Sequence, residues 1–218
     1  MTVPLKKIKQ EFMPEFMDDE FKKSFLSEIG NMGAGHAAIA LSQMLGKKIS
    51  IAVTQVQILG ISDFRDMIGD EGKLLCGVYL KVLGDVQGVI LLCFEREAAL
   101  RLADILLGNP PQTTKILTEI EQSALKEVGS IMAASYLGAI SKFLETVLLP
   151  SVPTMAFDTV DKIFDSVFNE LSTRRDNFVI GIENEFIEAE TRIKGYFLYM
   201  PAEMAMEQFF KLLEQKKG

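Results

Sequence analysis

An internal repeat constrains this chain more than any single motif. Ser24-x3-Glu28 recurs as Ser123-x3-Glu127 at an offset of 99 residues, and Val128-Gly129-Ser130 then falls on Ile29-Gly30-Asn31. The correspondence continues along the chain. NFVIGIENEF from Asn177 lies on KLLCGVYLKV, and IKGYFLYM from Ile193 lies on VQGVILLC. The C-terminal MAMEQFFKLL copies the helical pattern that follows Glu95. Gly195 stands 107 residues beyond Gly88, so the offset grows by 107 − 99 = 8, and FDSVFNELSTRRDN is the expected place for the insertion.

Each copy reads as helix, strand, two-stranded hairpin and helix. Acids at Asp18, Asp19 and Glu20 suit the start of the first long helix, and Gly46 suits its end. The β-branched run KKISIAVTQVQIL reads as a strand, and Gly84-Asp85 as the turn of the hairpin. Glu95 to Leu107 forms an amphipathic helix closed by Gly108-Asn109-Pro110-Pro111. The second long helix covers Thr118 to Phe143, and Thr118-Glu119-Ile120-Glu121 resembles a capping box. Asp63 to Gly72 reads as a polar connection, and Met1 to Met17 as a short arm or a first partial helix. The expected fold is α/β of the α+β type, with the duplicated unit building one mostly antiparallel sheet and two long helices on a face. Residues 1–218 then form a single domain of two pseudo-symmetric halves, about 18–108 and 117–215.

Within the first long helix, Ser24, Glu28 and Asn31 fall at i, i+4 and i+7 and share a face. Phe25, Ile29, Met32 and Ile39 are expected on the other faces, available to a core. A carboxylate and a carboxamide one turn apart can hold a cation and a water side by side, and packing has no need of that pair.

Other function classes fit poorly. A net charge of −7 and a pI near 4.9 lack the basic field of a nucleic-acid binder. No apolar run reaches the roughly 18 residues of a membrane helix, and no apolar segment follows Lys6, Lys7 and Lys9 as a signal peptide requires. The cytoplasm is the expected location. His36 is the only histidine, which excludes a histidine-based metal cluster or catalytic triad. Asp63, Asp66, Asp70 and Glu71 lack the ligand order of a calcium loop and read as solvated acids. GNMGAG, with Gly30, Gly33 and Gly35, neither follows a strand nor opens a helix, so close helix packing explains it better than a dinucleotide site. Cys76 and Cys93 lack CxxC spacing and read as buried, reduced thiols.

The pattern Asp/Ser-x3-Glu-x2-Asn-x22-Pro, once per half, resembles that of the CheC, CheX and FliY phosphatases of bacterial chemotaxis. SEIGNMGAGHAAIALSQML and SALKEVGSIMAASYLGAI are similar to the two CheC helices, and length places the chain nearer CheC than FliY. The resemblance implies a phosphatase for the aspartyl phosphate of the response regulator CheY, and in many members a partner called CheD. It implies no cofactor of the chain's own, since the receiver would supply a magnesium ion. Carried onto this sequence, Asn31 would position the attacking water and Glu28 would dock the regulator, with Ser24 in support. The match is partial. Thr54 stands where the first half should have proline, and Ser130 stands where the second half should have asparagine, although Ser123, Glu127 and Pro153 are in place. The expectation is one competent site, Glu28 and Asn31, and a degenerate second one, Glu127 and Ser130. A rival expectation is a non-catalytic adaptor that binds a receiver or CheD.

Overall fold

The computed structural model describes residues 20–69, 72–171 and 178–216. The expected arm and the acids Asp18, Asp19, Asp70 and Glu71 lie outside them. Helix α1 (Glu20–Leu45) leads into strand β1 (Ile49–Gly60), helix α2 (Ile61–Ile68), the hairpin β2 (Leu74–Gly84) and β3 (Gly88–Glu95), and helix α3 (Arg96–Leu107). The second pass gives α4 (Glu119–Leu144), the short strands β4 (Leu148–Pro150) and β5 (Thr154–Thr159), and α5 (Val160–Leu171). It closes with the hairpin β6 (Phe178–Glu188) and β7 (Thr191–Pro201) and helix α6 (Glu203–Gln215).

All seven strands join one antiparallel sheet in the order β1-β6-β7-β3-β2, with β4 and β5 both paired to β2 at the far edge. Exchanging the two passes maps this order onto itself. Each outer strand pairs with the hairpin of the other pass, so neither pass could complete its sheet alone. The centre is dry: β3 buries every residue from Gly88 to Phe94, which explains why GVILLCF shows no alternation.

Helices cover both faces. The larger core, with Phe25, Ile29, Leu125, Met132, Tyr136 and Phe209, lies under α1, α4, α3 and α6. The smaller one, with Ile61, Phe64, Ile68, Val160, Ile163 and Val167, lies under α2 and α5. The stretch expected as a polar connection is therefore in part a helix. Ile61, Phe64 and Ile68 recur at i, i+3 and i+7 and are buried, while Asp63 faces solvent. The insertion is also divided. Gly77 packs against Ile163 of α5 and Gly181 against Phe64 of α2, which pairs the two glycines at 181 − 77 = 104. Five of the extra residues thus precede β6, around the longer α5; Val82 pairs with Gly88 and its counterpart Phe186 with Ile193, so one more falls in the second hairpin.

The capping box opens α4: the Thr118 amide donates to the Glu121 carboxylate at 2.9 Å, and the Thr118 hydroxyl, which donates to the same carboxylate, does most to hold that carboxyl below its usual range. The helix ends repeat too. Gly46 and Glu145, 99 residues apart, both adopt left-handed φ, at 61° and 51°. Ser42 Oγ accepts from the Ile49 amide at 2.9 Å, and Ser141 Oγ accepts from the Leu148 amide at 3.2 Å. Each hydroxyl ties its long helix to the strand that follows.

Candidate functional site

Glycines set how the long helices lie. A Cβ on Gly33 would come within 2.5 Å of the Tyr136 ring, so only glycine lets α1 approach α4 this closely. Phe25 meets Phe143 with ring centroids 4.4 Å apart. The two contacts pair early residues of α1 with late residues of α4, so the helices run antiparallel. Tyr136 stacks on Phe197 at 4.2 Å and donates to Asn184 Oδ1 at 2.6 Å, which satisfies both buried polar groups. Burial pushes the Tyr136 phenol well above its ordinary pKa, so it stays a donor. Gly30 and Gly129 face the sheet, where a Cβ would stand 3.3 Å from Val56 and 2.5 Å from Val78 respectively. The helix-packing reading of GNMGAG holds for Gly30 and Gly33. It fails for Gly35, which is exposed with nothing within 4 Å of an added Cβ.

Ser24, Glu28 and Asn31 occupy the outer side of α1, and all three are exposed. At about 100° per residue, Asn31 points roughly 160° away from Gly33, hence away from α4. Among the described residues neither the Glu28 nor the Asn31 side chain makes a hydrogen bond or ion pair, so both present their polar atoms to solvent. The counterpart surface on α4 holds Ser123 and Glu127, exposed, and Ser130, half-buried. The structure thus groups the predicted residues as two separate outward faces, one per helix. Neither Glu28 nor Asn31 lines the cavity of about 470 Å³ beside Arg101 and Gln112.

Beneath Asn31 the sheet is distorted. The β1–β6 register slips between Val53 and Gln55, leaving Thr54 as an extra residue at a bulge. Val53 and Val56, on either side, are the residues Gly30 packs against. Pro153, the counterpart of Thr54 at the offset of 99, sits in the gap between β4 and β5. The strand breaks at the same position in both passes, once with proline and once without. Thr54 Oγ1 donates to Glu183 Oε1 at 2.8 Å, a bond proline could not make. Desolvation pushes the Glu183 carboxyl up, but bonds from Lys194 and Thr54 outweigh it and hold its pKa below the usual value.

Met32 is half-buried and packs on the core, but Ile39 is not a core residue. It is 59% exposed, because its position turns it onto the Glu28 side of α1. His36 is an exposed surface residue. Cys76 and Cys93 are buried free thiols, and burial pushes Cys76 up to about 12 and Cys93 further. Among the described residues no group of three His, Cys, Asp or Glu side chains is placed to hold a metal ion, and no helix is long and apolar enough to cross a membrane.

A profile described as the CheC-like family matches residues 21–53 and 120–155, that is, each long helix with the strand behind it. The chain thus resembles the CheC-like family in both of its halves. The match falls once on each copy of the repeat, on the two segments that carry the outward faces. This CheC-like chain is 28% identical over 197 residues to the CheY-P phosphatase CheC of Bacillus subtilis (strain 168), covering 89% of this chain and 94% of that protein. It is also 28% identical over 125 residues to the flagellar motor switch phosphatase FliY of the same organism, over 56% of this chain and 32% of that protein. Its fold is that of the Thermotoga maritima FliY crystal structure, with a TM-score of 0.72 at 22% identity, covering 94% of this chain and 99% of that one.

Proposed function

We propose that this CheC-like protein is a phosphatase for the aspartyl phosphate of a CheY-type receiver, with Asn31 as the residue that positions water and Glu28 as the docking residue. The observation that carries the reading is the exposed, unpartnered carboxamide of Asn31 on the outer face of α1, in the segment matched by the family profile. The likeness to a CheY-P phosphatase along most of both chains supports the substrate class.

An aspartyl phosphate is an acyl phosphate and already labile, so the protein needs to supply little covalent chemistry. It must hold a water in line with the phosphorus. A carboxamide can accept from that water and donate to a phosphoryl oxygen at once. Such a geometry has to account for about 2.7 kcal/mol to give a hundredfold acceleration. Glu28 lies one turn away and would pair with a lysine beside the receiver's phosphorylation site, setting the register. The magnesium ion that steadies the phosphoryl group would reside in the receiver. Ser130 on α4 is shorter than asparagine and half-buried, so turnover belongs to α1.

Phosphate release from a phosphorylated CheY-type receiver tests the reading. Wild type should accelerate it, and Asn31→Ala should not, while both bind the receiver alike. The replacement of asparagine by Ser130 favours one alternative, an adaptor that binds a receiver or CheD without turnover. Binding by wild type with no acceleration would establish that alternative instead.

A further inference from the structure

The two outward faces differ in a second respect that the family pattern does not contain. Ile39 lies about 20° from Glu28 around α1 and about 80° from Asn31, some 16 Å along the axis from Glu28. It is 59% exposed, and between it and Asn31 stands Gly35, bare on its outer side. The matching position on α4, at the offset of 99, is Gly138, also exposed with nothing within 4 Å of an added Cβ. The outer face of α1 therefore runs Ser24, Glu28, Asn31, Gly35, Ile39, and that of α4 runs Ser123, Glu127, Ser130, Ala134, Gly138. The large exposed apolar residue on the α4 face is Ile120, 66% exposed, at the opposite end, before Glu127. A partner that approached each face in the same register would meet an isoleucine beyond the amide only on α1.

We infer that Ile39 is the apolar anchor of the receiver-docking face, a specificity-determining residue that directs the phosphorylated receiver to α1 rather than α4. The inference rests on the phosphatase reading for its partner. A polar pair such as Glu28 and Asn31 sets register and chemistry, yet exposed charges contribute little affinity. Binding energy in interfaces comes from apolar anchors that become fully desolvated. The span of about 16 Å fits within the roughly 800 Å² that one partner of a standard interface covers. Gly35 leaves room for the receiver's backbone to approach between the two. Affinity and chemistry are then carried by different side chains on one helix.

The test separates them. Ile39→Ser keeps the residue exposed and nearly preserves helix propensity. With the phosphorylated receiver as substrate, KM should rise at least about fivefold and kcat stay within about twofold. Ile120→Ser should leave both unchanged. Independently of turnover, the beryllofluoride-loaded receiver should bind Asn31→Ala protein at least about fivefold more tightly than Asn31→Ala/Ile39→Ser protein. Transplanting the anchor gives the converse. In an Asn31→Ala/Ser130→Asn background, adding Gly138→Ile should lower KM at the α4 face. Equal receiver binding with and without Ile39→Ser would overturn the inference, as would a change in oligomeric state with receiver binding untouched, since Ile39 would then serve a second copy. Absence of turnover by wild type, with receiver binding still weakened by Ile39→Ser, would sink the phosphatase reading and leave the anchor standing.

Discussion

The halves of this protein share a backbone plan and differ in what they show to solvent. Both long helices use a glycine against the sheet, Gly30 and Gly129, and a serine against the next strand, Ser42 and Ser141. Both edges of the sheet break at the equivalent position, Thr54 and Pro153. The outer faces diverge, with Asn31 and Ile39 on α1 against Ser130 and Gly138 on α4. Duplication preserved the scaffold because each half completes the other's sheet, so a change in one damages both. The outer faces carry no such obligation, and one could lose its amide without cost to the fold.

The comparison can be broken most forcefully at the chemistry. Asn31→Ala should lower kcat about a hundredfold, the equivalent of about 2.7 kcal/mol, while Ser130→Ala leaves turnover within a factor of two. Equal losses from the two would mean that both faces work. Next in size is the scaffold they share. Gly33→Val would drive methyl groups into the Tyr136 ring and should destabilise the fold by about 2 kcal/mol, measured as a lowered urea midpoint. Gly138→Ala, into open space on the other helix, should instead stabilise slightly. A fold that tolerated Gly33→Val would show that α1 and α4 can separate.

Smaller effects sharpen the contrast between Thr54 and Pro153. Thr54→Val removes the bond to the Glu183 carboxylate and should cost about 1 kcal/mol at neutral pH. The folded pKa of Glu183 lies below its unfolded value. The stabilisation is therefore present above the unfolded pKa and fades as pH falls through the folded one. The gap between Thr54→Val and wild type should close in acid, as read from urea midpoints at neutral and acidic pH. A gap that widened there would contradict the assignment of the bond to the ionised carboxylate. Ser42→Ala and Ser141→Ala should each cost about 1 kcal/mol and nearly the same amount, because the two hydroxyls do the same job.

Much of this was legible in the sequence, because the repeat is a matter of spacing. Residues that must meet equivalent neighbours recur at the same offset, as Gly30 does in Gly129, and Glu28 recurs as Glu127, whereas Asn31 and Gly33 do not recur. Helices α2 and α5 were obscured. Their apolar positions, such as Ile61, Phe64 and Ile68, are few and interspersed with acids, and helical period is weak over so short a span. The bulge at Thr54 was invisible, since strand register depends on which strand pairs with which. Ile39 was misplaced for a different reason. An isoleucine suggests a core, and only its angle around α1 relative to Glu28 shows that it faces outward.

The most direct test of a one-faced enzyme is single-turnover phosphate release from a phosphorylated CheY-type receiver, with Asn31→Ala and Ser130→Ala run beside wild type. Acceleration by wild type and by Ser130→Ala, with none by Asn31→Ala, is the predicted result. Acceleration that survives Asn31→Ala and disappears in Ser130→Ala would contradict the account outright.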